Sequence, residues 1–227
     1  MANEFDLEEQ EQLDQIKHFW QQYGNLISWV LIAVFGSIAA WNGWNYWQSR
    51  QAGQASVMYD EVERAAVAGN TDRVERAFSD MKAHFGRTTY AQQAGLLAAA
   101  ALYDKGKADQ AKAALAWVAD NASDEGYQAV ARLRLASIFM DAKQYDEALK
   151  QLNAAFPREF QALADDRRGD IYNLQGKKSE AKTEYEKAYK GMDDRSDARK
   201  LLEVKLAALG VDTRQLASPA AGAGARS

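Results

Sequence analysis

Hydrophobic and polar residues divide the chain into two parts with different patterns. From Lys17 to Arg50 the sequence is almost continuously apolar, and His18 is the only side chain between them that carries charge near neutral pH. After Arg50, apolar residues return every three or four positions with charged residues between them, which is the period of amphipathic helices. The first pattern predicts one helix in a lipid environment, and the second predicts several helices that share a core.

The apolar run predicts a membrane anchor. Residues 26–47 supply the roughly 20 positions that a helix rising about 1.5 Å per residue needs to cross a hydrocarbon core about 30 Å thick. Aromatic residues, typical of the two membrane interfaces, stand at both ends of the run: Trp20, Tyr23, Trp41, Trp44, Tyr46 and Trp47. The alternative is a buried core helix of a soluble protein, but such a helix seldom lacks charge over this length. We therefore expect membrane contact through residues 26–47.

The residues before the run argue against a cleaved signal peptide. Secretory signals begin with basic residues, whereas residues 1–18 carry six acidic side chains and one lysine. We expect a mobile acidic tail to about residue 15 and an uncleaved anchor that crosses once. Ile16, Phe19, Trp20 and Tyr23 lie at helical spacing, which fits either a separate interfacial helix or an extension of the anchor.

Helix-ending residues delimit the segments after the anchor. The pattern predicts helices over about 54–67, from about Asp72 to Gly86, over about 90–103 and, last, over about 196–209. Val74, Phe78 and Met81 share one face of the second of these helices. Alanine, leucine, lysine and glutamate are abundant, while valine and isoleucine are scarce after the anchor, so the composition favours an all-α fold over a sheet.

A repeat emerges in the middle of the chain. The triplets Asp109-Gln110-Ala111, Asp146-Glu147-Ala148 and Ser179-Glu180-Ala181 recur at intervals of 37 and 33 residues, and we expect the first residue of each to cap a helix N-terminus. A short turn precedes each triplet, at residues 105–107, 142–144 and 175–177. Helix–turn–helix pairs with this period indicate a tetratricopeptide-type solenoid, with a generic helical bundle as the alternative.

Small and aromatic residues around the later triplets support the solenoid. Small side chains let the two helices of a pair approach closely, and aromatic side chains fill the space between pairs. The small residues are Ala136, Gly169, Gly176 and Ala188, and the aromatic residues are Phe139, Tyr145, Tyr172 and Tyr185. The helix over about 196–209 is placed to cover the final apolar surface, as a terminal helix does in solenoids.

Charge and motifs offer no catalytic, metal or cofactor site. Residues 51–227 contain 26 acidic and 26 basic side chains, so there is no excess of positive charge for nucleic acid. Cysteine is absent, and His18 and His84 have no partner at metal-ligand spacing. Gly106-Lys107 lacks the following Ser or Thr of a phosphate loop.

One dense run of charge has two interpretations. Asp165-Asp166-Arg167-Arg168-Gly169-Asp170 places carboxylates that serve either as paired catalytic acids or as partners in ion pairs along a helix. We favour ion pairs, because neither a nucleophile nor an apolar pocket is evident around them. The sequence thus predicts a non-enzymatic protein whose helical groove binds partners. Within the anchor, Ala33 with Ser37 and Gly36 with Ala40 also permit close helix contact.

Several local sequences resemble one known family. They are Lys17-His18-Phe19-Trp20 with Gly24, Gly43-Trp44-Asn45-Tyr46-Trp47, Ser123-Asp124-Glu125, Leu133-Arg134-Leu135-Ala136 and Asp166-Arg167-Arg168-Gly169-Asp170. Their order resembles that of the YfgM family, the ancillary subunit of the bacterial SecYEG translocon. The resemblance covers most of residues 16–210 and leaves out the extreme N-terminus and the Ala/Gly-rich C-terminus.

The resemblance implies a single-pass inner-membrane protein with a cytoplasmic N-terminus and a periplasmic domain. It also implies SecYEG and the membrane-anchored prolyl isomerase PpiD as partners, and assistance to exported polypeptides on their way to periplasmic chaperones. The charges alone do not give this orientation, because Lys17 on one side and Arg50 and Arg64 on the other weakly favour the opposite one. The alternative function is a membrane-anchored scaffold for another cell-envelope complex.

These inferences predict four regions along the chain. They are an acidic cytoplasmic tail at residues 1–18, an interfacial segment and transmembrane anchor at 19–49, a tetratricopeptide-like domain at 50–212 and a disordered tail at 213–227.

Overall fold

The structure is a computed structural model that describes residues 7–217. These residues form ten helices and no strand. The helices are α1 (Leu7–Val67), α2 (Thr71–Phe85), α3 (Thr89–Asp104), α4 (Ala108–Asn121), α5 (Glu125–Asp141), α6 (Tyr145–Leu152), α7 (Arg158–Leu174), α8 (Lys178–Gly191), α9 (Asp197–Ala208) and α10 (Thr213–Ala217). The chain divides into two compact units at Gly53. The described residues of the first unit belong to α1, and the second unit holds the end of α1 and all later helices. The predicted all-α fold is confirmed.

The first helix is longer than the sequence predicted. Its backbone is helical from Leu7, whereas the sequence pattern predicted no helix before about residue 16, and residues 1–6 lie outside the described part. The helix is unbroken between residues 16 and 26, which favours the extended anchor over a separate interfacial helix. It also passes through Gly53, so the helix predicted over 54–67 is the end of α1. No proline interrupts residues 7–67, and a single interior glycine costs only about 1 kcal/mol.

Four helical hairpins follow one another in the second unit. The end of α1 pairs with α2, α3 with α4, α5 with α6, and α7 with α8. A residue with positive φ follows the first helix of each pair, and another follows α9. These residues are Gly69, Gly106, Lys143, Gly176 and Gly210. They recur at intervals of 37, 37, 33 and 34 residues. In each turn the next residue donates its N–H to the carbonyl five positions earlier, as Lys107 does to Leu102 at 2.9 Å. The predicted turns and their period are therefore observed.

The predicted N-caps of three helices were wrong. Asp109, Asp146 and Ser179 lie at the second helical position of α4, α6 and α8. The capping positions belong to Lys107, Gln144 and Lys177, and no side chain caps these three helices. The turn causes this shift, because the residue directly after the left-handed position is already the N-cap and the helix begins at the following residue. Asp109 and Asp146 still place negative charge in the first turn, where the helix dipole favours it.

Alanine and glycine set the close spacing of the hairpins. The third residues of the three triplets, Ala111, Ala148 and Ala181, are completely buried. At Gly95 a Cβ atom would lie 2.4 Å from Cγ2 of Val118, and at Gly169 it would lie 2.4 Å from Cδ1 of Tyr185. Neither distance is possible without displacing these side chains, so at both points a side chain of the facing helix packs directly on the glycine.

The last two helices close the described chain. Ser196 caps α9 by accepting the N–H of Arg199 at 3.2 Å, and Leu202 and Leu206 are buried, as predicted for the terminal helix. The short helix α10 falls inside the predicted disordered tail. Asp212 accepts the N–H of Arg214 at 3.0 Å, and Leu216 packs against the apolar cluster of α8 and α9, so local contacts accompany this helix. Residues 218–227 of the predicted tail lie outside the described part.

Candidate membrane anchor and interaction surface

The apolar part of α1 has almost no protein contacts. The large hydrophobic side chains between Phe19 and Trp47 are exposed, Trp41 by 69% and Phe35 by 66%. Only 6% of the most apolar 18-residue stretch of this helix is buried inside the protein. The alternative of a buried core helix is therefore wrong. Within the described residues α1 is the one helix that is long and apolar enough to cross a membrane.

The two serine hydroxyls of the anchor have hydrogen-bond partners within the helix. Ser28 donates its hydroxyl to the Gly24 carbonyl at 2.8 Å, and Ser37 donates to the Ala33 carbonyl at 2.7 Å. Both hydroxyls are thus satisfied inside the helix, which is the condition for polar groups in a hydrocarbon core. At the C-terminal end, the guanidinium of Arg50 lies 5.5 Å from the ring centre of Tyr46, an arrangement suited to the interfacial region.

In the second unit, the odd-numbered helices lie side by side. The rings of Tyr59 on α1 and Tyr90 on α3 are 6.1 Å apart, and Tyr103 on α3 donates to Asp141 on α5 at 2.6 Å. Helix α5 packs against both α3 and α7, although each is two helices away along the chain. Because next-nearest helices meet on this side, the stack bends towards it. We call the surface of α1 (from residue 54), α3, α5, α7 and α9 the concave face.

A group of tyrosines occupies one end of the concave face. We define the tyrosine cluster as Tyr59, Tyr90 and Tyr127, which are half-buried against the apolar core. Gln93 donates to the hydroxyl of Tyr127 at 2.8 Å. Burial raises the pKa of Tyr59, and the neighbouring Glu63, Asp60 and Tyr127 raise it further, so its hydroxyl stays neutral. This cluster was not predicted from the sequence, although the intervals of 31 and 37 residues between its tyrosines, close to the repeat period, were a signal for it.

The other end of the concave face has a different character. Leu163, Arg167 and Leu174 lie along the side of α7 that faces away from its contact with α8, and Leu174 is 58% exposed. On α5, the exposed Arg134 donates to the Leu96 carbonyl of α3 at 3.2 Å. The concave face therefore has one end with tyrosines, Asp60 and Glu63 and another end with exposed leucines.

The predicted run of charge forms a network that is more buried than ordinary surface ion pairs. Arg168 donates to Glu184 on α8 at 2.8 Å and to the Leu152 carbonyl at the end of α6 at 2.6 Å, and it contacts the carboxylate of Asp165. Both carboxylates are nearly inaccessible. Burial opposes ionisation of Glu184, but hydrogen bonds from Lys187 and Arg168 outweigh it and hold the pKa below its usual value.

A second part of the network attaches α9 to α7. The ammonium of Lys205 lies 2.7 Å from a carboxylate oxygen of Asp166 and 2.7 Å from one of Asp170. The Tyr185 hydroxyl donates to the same oxygen of Asp170 at 2.8 Å. Burial raises the pKa of Asp166 against the opposing hydrogen bond from Lys205, and burial and the bond to Asp170 raise the pKa of Tyr185.

Every carboxylate in this run faces a cation, which supports the structural interpretation of the charges. Residues 165–170 were evident from the sequence, but their partners Glu184 and Lys205 were not, because these lie on other helices. Among residues 7–217, no group of three metal-ligating side chains comes together.

Comparison with known proteins agrees with this architecture. Residues 17–211 match a family model described as a tetratricopeptide repeat-like domain. Three relatives carry the name ancillary SecYEG translocon subunit. The protein from Neisseria gonorrhoeae is 33% identical over 89% of this chain and 98% of its own length. Those from Escherichia coli and Haemophilus influenzae are 30% and 29% identical, over 80% and 81% of this chain and 87% and 90% of their own lengths.

Proposed function

The chain belongs to the family of ancillary SecYEG translocon subunits and carries its tetratricopeptide repeat-like domain, and from this premise we propose that it is a non-enzymatic docking subunit of the translocon at the inner membrane. Residues 26–47 would hold it in the bilayer, and the concave face would bind polypeptides. The observation that carries this proposal is the combination in one chain of an exposed apolar helix with a bent stack of hairpins.

We propose further that PpiD and exported polypeptides bind the concave face, and that the protein assists the transfer of exported chains to periplasmic chaperones. Solenoids of paired helices suit this task because they offer an extended surface to a segment without secondary structure of its own. One end of the concave face carries tyrosines and the other carries exposed leucines, so the two ends would favour different side chains of a bound segment.

Photo-crosslinking in intact membranes tests this function. A photoreactive amino acid at Val34 in the anchor is expected to capture a SecYEG subunit. The same residue at Leu174 on the concave face is expected to capture PpiD or an exported chain. Glu75 on α2, exposed and outside the concave face, is the matched control and should give neither adduct. Absence of a SecYEG adduct from Val34 would contradict the proposal, and a SecYEG adduct from Val34 without any adduct of PpiD or an exported chain from Leu174 would remove its hand-over part.

We also propose that the N-terminus is cytoplasmic and the hairpin domain periplasmic. Support comes from the family resemblance alone, since the basic residues that flank the anchor do not favour this orientation. Alkaline phosphatase fused after Gly210 is expected to be active, because that enzyme acquires its disulfides only after export. A green fluorescent protein fused at the same place is the control and should stay dark when it is exported unfolded; the opposite pair of results would reverse the orientation.

A further inference from the structure

We propose that the tyrosine cluster, together with the carboxylates of Asp60 and Glu63, is a binding site for a lysine or arginine side chain in an extended segment of a partner polypeptide. The site lies at the α1 end of the concave face, where α1, α3 and α5 meet. This inference rests on the proposed docking function and specifies its chemistry.

The arrangement of the rings suits a cation. The ring centres of Tyr59 and Tyr90 are 6.1 Å apart and their planes are inclined by 55°, so the two faces do not stack on each other. A cation is attracted to an aromatic face when it lies within about 6 Å of the ring centre, and several rings around one position act together. All three rings are half-buried against the core, which fixes their positions, and Gln93 orients the hydroxyl of Tyr127.

Two carboxylates accompany the rings, and neither forms an ion pair in the described part of the chain. Glu63 lies one helical turn after Tyr59, on the same face of α1, and Asp60 is adjacent to it. Both residues are exposed, and in the described part of the chain neither carboxylate has a cation within ion-pair distance. Glu61 provides the contrast, because it lies 2.6 Å from Arg73 on α2 and is already paired.

The neighbouring helix does not supply the missing positive charge. Helix α3 has no charged side chain from Thr89 to Tyr103, so the wall next to Asp60 and Glu63 is neutral. A basic side chain from a partner would therefore meet aromatic faces and unpaired carboxylates together. An acidic side chain would meet only repulsion here, and a neutral one would gain neither interaction.

Peptide binding to the full-length chain in micelles of a neutral detergent tests this site. The probes are fluorescein-labelled nine-residue peptides of Gly, Ser and Leu with two central arginines, or with two citrullines, which keep the shape and remove the charge. Fluorescence anisotropy is expected to show that the arginine peptide binds at least about 10-fold more tightly, and that added salt reduces this difference.

Variants connect the binding to the named residues. Glu63→Gln is expected to weaken binding of the arginine peptide about 5-fold and Tyr59→Leu about 10-fold, whereas Tyr59→Phe, which keeps the ring, stays within about 3-fold. Glu75→Gln on α2 is the matched control and should change nothing. Thermal unfolding of each variant shows whether it is folded, and Glu63→Gln alters only an exposed side chain.

The result that overturns the proposal is equal binding of the two peptides, no binding of either, or unchanged affinity in both Glu63→Gln and Tyr59→Leu. The outcome is independent of the proposed function. If the unaltered chain failed to crosslink to the translocon, that function would fall while selective binding of arginine would stand. If crosslinking succeeded and the peptides did not discriminate, only the present inference would fall.

Discussion

Replacing Leu31, Val34 and Ile38 together with aspartate is expected to move the protein from the membrane pellet to the supernatant after cell breakage and ultracentrifugation. The three positions lie in the middle of the apolar run, and each side chain is about half exposed, so no neighbouring protein surface would shield the new charge. An aspartate near the centre of a membrane helix costs about 2.5–3.5 kcal/mol, so three of them remove most of the driving force for insertion.

The control carries the same number of aspartates outside the anchor. Val57, Val67 and Val204 are also exposed but lie after residue 47, so their replacement should leave the protein in the pellet after an alkaline carbonate wash. Immunoblots of whole cells show whether both proteins are present in equal amounts. A central triple variant that still resists the carbonate wash would show that residues 26–47 do not hold the chain in the bilayer.

Arg168→Met is expected to lower the free energy of unfolding by about 3–5 kcal/mol, the usual cost of removing one partner from a buried ion pair. Methionine fills much of the same volume, so the change removes charge and hydrogen bonds more than packing. Asp165 would lose its cation, Glu184 would keep only Lys187, and the Leu152 carbonyl would lose a donor. Urea unfolding of the full-length chain in micelles, followed by far-ultraviolet circular dichroism, measures the loss.

The adjacent arginine supplies the matched control for this measurement. Arg167 is on the same helix, but its side chain is about half exposed, and its guanidinium is 3.7 Å from Asp170. Arg167→Met should therefore cost less than about 1 kcal/mol, as exposed ion pairs do. Equal destabilisation by the two variants would show that the buried network contributes no more than a surface pair.

The parts of the fold that depend on local chemistry could be predicted from the sequence. Gly106 and Gly176 mark turns because they adopt a conformation that other residues avoid, and the turns recur with the repeat. Val74, Phe78 and Met81 share a helix face at a spacing that needs no knowledge of the partner helix, and all three are buried. The apolar run was equally evident, because membrane thickness alone determines its length.

Other features could not be predicted because no local signal determines them. Nothing in the residues around Gly53 indicates whether α1 stops or continues there, since one glycine is too weak an interruption. The N-caps were misplaced because the geometry of the preceding turn, rather than the identity of Asp109, decides where α4 begins. Lys205 and Asp170 lie 35 residues apart, and only the stacking of α9 on α7 brings them together.

Because the five turns recur at nearly equal intervals, the number of hairpins in this domain could be changed. Each hairpin relies mainly on its immediate neighbours, so evolution or an engineer could duplicate or delete one unit without redesigning the others. Each added pair would lengthen the groove by about 8–10 Å, the ordinary distance between packed helices. Leu201 and Val204, left uncovered on the outer side of α9, mark the end where such growth would begin.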